Sequence, residues 1–186
     1  MLAALFGRQR HRAAAFAAYG RIVDAARQPG FFRDGGVPDT LDGRFEVLAL
    51  HCFLVLHRMK GQGPAAADFA QTLFDTMFAD LDRGLREMGA GDLGVGRRVK
   101  AMATGFYGRI AAYEAGLRAA GEDGAAVAEG ALEAALRRNL YGTASPSEAQ
   151  LAAVAVYARR QAAALAAQPL ASLLAGEVAL IPFGAA

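Results

Sequence analysis

The chain has 186 residues, 54% of them hydrophobic, and a formal net charge of +2 at pH 7. That length suits one compact domain, and the near balance of charge argues against a strongly basic nucleic-acid-binding protein, so no DNA partner is expected. A single cysteine, Cys52, excludes an intrachain disulfide and is typical of a reducing compartment.

The N-terminus is basic and does not resemble a secretory signal, because its few apolar residues precede its charges. Residues 1–12 are expected to form a basic extension that either contacts RNA or an anionic membrane surface or is a solvated terminus. The longest apolar run, residues 47–56, is about half of the roughly 20 residues that a membrane span needs. These features predict a cytoplasmic protein. The basic residues of the extension are Arg8, Arg10, His11 and Arg12.

Apolar residues recur at intervals of three and four, which predicts an all-α fold with a single compact domain of about six to seven helices. The second predicted helix is apolar on nearly every side, which indicates a central position. In the first, the expected buried stripe is Phe16, Tyr19, Ile22 and Val23. The predicted helices span residues 10–28, 41–60, 64–88, 92–120, 125–140 and 145–168, and a short segment follows Pro169.

The chain is expected to divide into a helical core at residues 13–120 and Ala-rich C-terminal helices at residues 121–186 that pack on this core. The sequence Ser145-Pro-Ser-Glu148 is typical of a capping box, with Pro146 as the first helical residue of the sixth helix.

Residues 35–45, GGVPDTLDGRF, separate the first two predicted helices and indicate a loop of fixed shape. Glycines permit backbone angles that other residues resist, and proline restricts the entry. An Asp or Thr is expected to cap the central helix, and Arg44 is expected to form a partly buried pair with an acid such as Asp80. The residues that define this loop are Pro38, Asp39, Thr40, Asp42, Gly43 and Arg44.

Metal ligation has little support in the sequence. Ligands on one helical face lie three or four residues apart, whereas His51 and His57 are six apart and Cys52 and His57 are five apart. His51 is expected in the core or lining a groove. No metal or cofactor is therefore expected.

An enzymatic alternative remains open. All-helical enzymes that act on isoprenoid or other lipid-like substrates hold magnesium with clustered aspartates on facing helices. Asp39 and Asp42 have a suitable spacing, but Asp80 and Asp82, at i and i+2, point apart. This alternative requires all four carboxylates to converge in a cavity.

The third and fourth predicted helices carry more large apolar residues than one buried stripe needs, which indicates a groove that accepts apolar partners. Phe31 and Phe32 either form the lip of this groove or attach their loop to the core. The other residues expected to contact a partner are Phe74, Met77, Phe78, Met102, Phe106 and Tyr107.

Two long stretches, GVPDTLDGRFEVLALHCFLVLHRMKG and LFDTMFADLDRGLREMGAGDLGVGRRVKAMATGFYGRIAAYE, resemble the ubiquinol–cytochrome c chaperone family. The resemblance covers roughly residues 16–117. Members of this family are bacterial relatives of the mitochondrial factors that assemble the cytochrome bc1 complex.

The resemblance implies a helical, non-enzymatic chaperone whose client is nascent or unassembled cytochrome b. Further implied partners are a small partner protein, the ribosome and an anionic membrane surface. It also implies peripheral attachment to the inner face of the cytoplasmic membrane, and it assigns no catalytic residue.

Overall fold

The computed structural model describes residues 2–87, 92–118 and 130–184, with side chains from residues 12, 94 and 130 onwards in these ranges. The predicted all-α class is confirmed. The described residues form eight helices: α1 (Leu2–Ala26), α2 (Gly30–Arg33), α3 (Leu41–Met59), α4 (Pro64–Glu87), α5 (Asp92–Leu117), α6 (Ala131–Asn139), α7 (Glu148–Ala167) and α8 (Leu170–Leu174).

Helix α3 is the centre of the fold, as its apolar composition predicts. It contacts α1, α4, α5 and α7. Successive residues on all its faces are buried, including Leu50, Cys52, Phe53 and Val55. Because each face has a neighbouring helix, α3 needs no polar stripe.

Helix α1 packs against α3 and α4, but not through the whole stripe that the sequence predicts. Tyr19 and Ile22 are buried and Val23 is partly buried, whereas Phe16 is 66% exposed. Small residues, Ala14, Ala15 and Ala18, occupy the contact instead, because they allow the helix backbones to approach closely. The expectation that Phe16 is a core residue is wrong.

The predicted helix ends agree with the structure where a capping residue or a proline marks them. Helix α3 starts at the predicted residue, and α4 starts at Pro64, whose missing N–H is not needed in a first turn. The short helix α2 was not predicted. The predicted ends at Met88 and Ala120 and the predicted start at Ala125 lie outside the described residues.

The cap of α7 differs from the prediction. Ser147, and not Ser145, is the N-cap, and its capping box is completed by Gln150. The Ser147 hydroxyl accepts a hydrogen bond from Gln150 N at 3.2 Å, and Gln150 Oε1 accepts one from Ser147 N at 2.9 Å. Pro146 therefore precedes the cap.

The C-terminal helices are part of the same core. Leu132 and Leu136 of α6 and Val154 and Leu165 of α7 are buried in one cluster with the side chains of α3. The domain boundaries at 12/13 and 120/121 stay predictions, although the first of them falls inside α1. Within the described ranges, no helix has both the length and the apolarity required to cross a membrane.

A loop, an apolar groove and their relatives

The loop before α3 is held by its own side chains. Thr40 is the N-cap, and its hydroxyl accepts a hydrogen bond from Gly43 N at 3.1 Å. Among the three candidates for this cap, Thr40 therefore has the role. Asp42 is exposed in the first turn of α3, where a negative charge interacts favourably with the helix dipole.

Gly43 is required by a close backbone approach. A Cβ atom at this position would lie 2.0 Å from the carbonyl oxygen of Pro38. Any other residue would push the loop away from α3. The glycine therefore fixes the distance between Pro38 and the first turn of the central helix.

Arg44 does not pair with Asp80. Its Nε donates a hydrogen bond to Asp39 Oδ1 at 2.6 Å, and both side chains are more than half exposed. The hydrogen bond to Asp39 raises the pKa of the Arg44 guanidinium. Arg44 also lies over the ring of Phe32, with its Cζ atom 5.4 Å from the ring centroid. The Arg44–Asp39 pair therefore lies on the surface, and the expectation that the ion pair of Arg44 is partly buried is wrong.

His51 is a buried linker between helices. Its Nδ1 donates to the Val47 carbonyl at 2.7 Å, and its Nε2 accepts a hydrogen bond from the Tyr157 hydroxyl at the same distance. Burial lowers the pKa of His51 to about 4, so the ring is neutral at pH 7. His51 thus belongs to the core and is not exposed in a groove.

The four aspartates of the magnesium alternative do not form one cluster. Asp39 pairs with Arg44, Asp82 with Arg86, and Asp80 with Arg83 and the Tyr19 hydroxyl. Asp42 and Asp80 line one cavity, which Asp39 and Asp82 do not line. Within the parts of the chain that the structure describes, no group of three or more His, Cys, Asp or Glu residues is placed to hold a metal ion. The convergence that this alternative requires is absent from these residues.

Four aromatic rings join α4 and α5. The centroid of Phe74 lies 4.6 Å from that of Phe78, 5.9 Å from Phe106 and 5.5 Å from Tyr107. Burial decreases along this set: Phe106 is fully buried, Phe74 is partly buried and Tyr107 is 60% exposed. The ring cluster therefore extends from the core to the surface.

Tyr107 also lines an open cavity of about 680 Å³, here called the apolar groove. The groove lies between the C-terminal half of α3, the first half of α4 and the C-terminal half of α5. Its walls are mainly apolar carbon. The residues that line it are Phe53, Leu56, His57, Met59, Lys60, Gly61, Gly63, Ala67, Ala70, Tyr107, Ile110 and Glu114.

Charged groups are confined to one side of the apolar groove. Lys60 Nζ lies 2.9 and 2.7 Å from the two carboxylate oxygens of Glu114, and His57 Nδ1 lies 3.8 Å from the first of them. The Glu114 side chain is only 15% exposed, whereas that of Lys60 is 66% exposed. The pair neutralises the one acid in an otherwise apolar wall.

The predicted partner-binding residues separate into two groups. Tyr107 lines the groove, and Phe74 supports it with a partly exposed ring. Phe31, Met77 and Phe106 have no exposed surface and Phe78 is 8% exposed. Since a side chain with little or no accessible area offers almost no surface to a partner, these four are core residues.

Two further predicted residues lie elsewhere. Phe32 is partly buried beneath Arg44, and Met102 lines a second cavity of about 670 Å³ at the opposite end of α4. That cavity contains mixed charges. Its lining includes three arginines and three acids, so its walls do not resemble those of the apolar groove. These residues are Arg27, Arg98, Arg109, Asp42, Glu46 and Asp80.

Sequence reasoning missed one wall of the groove. Leu56 of α3 and Ala67 and Ala70 of α4 line the groove but are absent from the predicted partner-binding residues. The signal was the break at residues 61–63, where Gly61 and Gly63 have positive φ angles of 74° and 93°. This break ends α3 at Met59, and Leu56, His57 and Met59 of its last turn line the groove.

Comparison with known proteins agrees with this architecture. The crystal structure of the Cbp3 homolog from Brucella abortus is 38% identical, covers 98% of each chain and superposes with a TM-score of 0.81. The ubiquinol-cytochrome-c reductase complex assembly factor 1 of Xenopus laevis is 28% identical over 80% of this chain and 70% of its own length. Its Mus musculus counterpart is 26% identical, and the chain spans about half of that protein, 48%.

A family model described as ubiquinol-cytochrome C chaperone matches residues 33–180. The match extends well beyond residue 117, where the resemblance recognised in the sequence ends, because α6 and α7 are integral to the same core. It covers the loop before α3 and every residue that lines the apolar groove. The chain therefore belongs to the ubiquinol-cytochrome C chaperone family.

Proposed function

We propose that this protein is a non-enzymatic chaperone that binds unassembled cytochrome b in the apolar groove during assembly of the cytochrome bc1 complex. The family supports a role in assembly, and the relatives are named for assembly of the ubiquinol-cytochrome c reductase complex. The single observation that carries the proposal is an open, apolar groove of about 680 Å³.

The chemistry of the groove suits a segment of a membrane protein. Apolar surface in water costs about 25 cal/mol per Å², so an unassembled membrane helix gains by covering part of its surface. One helical face can enter a groove between helices through residues spaced three and four apart. Tyr107, Ile110 and Leu56 provide large apolar contacts for such a face.

The helices that carry the groove also pack into the core. Phe69 and Met77 of α4 and Phe106 of α5 are fully buried. A groove that is formed before binding loses little conformational entropy when a client binds. Release then requires only that the assembled complex bind the same client surface more tightly.

We further propose that the protein works at the inner face of the cytoplasmic membrane. The basic residues at the start of α1 precede the exposed ring of Phe16, and Arg12 and Arg21 are exposed on the same helix. Aromatic and basic residues together bind anionic lipid surfaces. Flotation with anionic liposomes should decrease for Phe16→Ser, and unchanged flotation would remove this attachment from the proposal.

Site-specific photo-crosslinking tests the client. A photoreactive residue at Tyr107 should crosslink to cytochrome b during its synthesis. The same residue at Ala152, which is exposed on α7 and lines neither the groove nor the cavity beside α7, is the matched control and should not. If both positions crosslink equally, or neither reaches cytochrome b, the groove is not the client site.

A further inference from the structure

The C-terminal strap, residues 177–184, follows α8 and crosses α7 and α2 without helix or strand structure. It shares no residue with the apolar groove. Its cavity, about 290 Å³, is lined by residues of α7, Asp34 and the strap itself.

Three glutamine side chains hold the strap by its backbone. Gln168 accepts a hydrogen bond from Ala179 N at 2.9 Å and donates one to Ala179 O at 2.9 Å. Gln161 Oε1 accepts from Ile181 N at 2.7 Å, and Gln28 Oε1 accepts from Phe183 N at 2.8 Å. The bonds fall on alternate residues, as they do when a β-strand is added to a sheet edge, and such bonds do not depend on the side chains of the bound segment.

Side-chain recognition is concentrated at Phe183. Its ring centroid lies 4.5 Å from that of Phe31 and 5.5 Å from that of Tyr157. Two glycines complete the socket: a Cβ atom at Gly30 would lie 2.9 Å, and one at Gly35 3.2 Å, from the Phe183 ring. The socket therefore selects an aromatic side chain.

The side chains of Gln28, Gln161 and Gln168 are here called the glutamine ladder. One polar group of this ladder has no partner among the described residues. Gln161 is fully buried, and its Nε2 has no hydrogen-bond partner among the described residues. Gln168 bonds both the N–H and the C=O of Ala179, whereas Gln161 bonds only the N–H of Ile181. An extended segment whose carbonyl reached Gln161 Nε2 would satisfy the ladder better than the strap does.

We propose that the surface beneath the strap is a peptide-binding site in which the strap is a replaceable resident ligand. The ligand is an apolar, extended segment with an aromatic residue after proline, as in Ile181-Pro182-Phe183. The glutamine ladder binds its backbone and the glycine-floored socket binds its aromatic ring. This site stands apart from the proposed chaperone groove, so each can fail without the other.

A labelled peptide with the sequence of residues 177–184 tests the site in the full-length chain. Phe183→Ala weakens the resident strap, which otherwise competes at a high effective concentration. Fluorescence anisotropy should then show at least tenfold tighter peptide binding than to the unmodified protein. Leu180→Ala, outside the socket, is the matched control and should not reach that gain.

Specificity and folding are checked in the same experiment. A peptide with Ala in place of Phe should bind at least tenfold more weakly than the original. If folded Phe183→Ala binds neither peptide, or binds both equally, the proposal is overturned. Should that variant not fold, excess peptide added to the unmodified protein should speed amide hydrogen exchange of Ala179, Ile181 and Phe183 at least tenfold, with α7 unchanged. Unchanged exchange would equally overturn the proposal.

Discussion

The Tyr157 hydroxyl donates a hydrogen bond of 2.7 Å to Nε2 of His51, joining the central helix to α7 across 106 positions of sequence. Phe31 packs edge-on against both rings, at centroid distances of 5.2 Å from His51 and 5.0 Å from Tyr157. The three side chains are all buried. This junction connects α2, the central helix and the C-terminal third.

Removing the Tyr157 hydroxyl should destabilise the protein while the packing of the three rings is kept. Tyr157→Phe keeps the ring contacts but leaves His51 Nε2 buried and unbonded, which should cost about 1–3 kcal/mol of the free energy of unfolding. Urea denaturation measures this change. Tyr107→Phe, at an exposed ring, should differ by less than about 0.5 kcal/mol. Equal effects of the two substitutions would mean that the bond to His51 contributes nothing specific.

His51 should make stability depend on pH. Its pKa falls from 6.5 to about 4 on folding because burial disfavours the charged ring. Because the pKa is lower in the folded state, the unfolded chain takes up the proton at a higher pH than the folded chain does. The stability that neutral His51 provides is therefore complete above about pH 6.5 and is lost as the pH falls towards 4. The loss should reach about 3 kcal/mol over this window.

The measurement for His51 is a series of urea denaturations at pH 7, 6, 5 and 4.5. His51→Asn removes the titrating group and should flatten the curve relative to the unmodified protein. A parallel decline in both proteins would assign the pH dependence to other groups.

Two glycines should respond oppositely to alanine. Gly43→Ala places a Cβ atom 2.0 Å from Pro38 O, so it should cost about 1–3 kcal/mol. Gly84→Ala, inside α4 with no atom within 4 Å of the new Cβ, should be neutral or stabilise by up to about 1 kcal/mol. Thermal and urea unfolding report both. A tolerated alanine at position 43 would contradict the close approach of loop and helix.

Replacing only one partner of the largely buried Glu46–Arg109 ion pair should destabilise the protein more than replacing both. Glu46 and Arg109 side chains are 11% and 20% exposed, and Arg109 Nε donates to Glu46 Oε2 at 2.6 Å. Burial raises the pKa of Glu46 despite the opposing effect of Arg109. Arg109→Met should therefore cost on the order of 3 kcal/mol, because it leaves a buried carboxylate unpaired. Glu46→Leu combined with Arg109→Met should recover part of that loss, and a double-mutant cycle that gives additive losses would exclude coupling.

A charge inside the apolar groove should abolish client binding without unfolding the protein. Ala67 lines the groove and is exposed on α4, so Ala67→Glu places a carboxylate against the client at little cost to the fold. Ala65→Glu, exposed in the same helix but outside the groove, is the matched control.

In a strain that lacks its own gene for this protein, the Ala65→Glu variant should restore the level of assembled bc1 complex on native gels. The Ala67→Glu variant should not, and transcript levels of the complex should be equal in both strains. Restoration by both variants would contradict a client role for the groove.

Local features were predictable because neighbouring residues determine them. Pro64 and Thr40 fix the starts of α4 and α3 through a missing N–H and a capping hydroxyl, and Gly61 ends α3 at a positive φ. The apolar surface all around α3 predicted its central position.

The arrangement between helices required the tertiary structure, because it depends on which faces meet. Phe16 belongs to the apolar stripe of α1 yet is exposed, since three alanines make the closer contact. Met77 and Tyr107 were indistinguishable as apolar candidates, but one is buried and the other is 60% exposed. The sequence by itself determined the all-α class, most of the long helices and the family. Only three-dimensional packing decided which side chains support the groove, which ones line it, and how His51 reaches Tyr157, because burial is a property of pairs of surfaces and not of single residues.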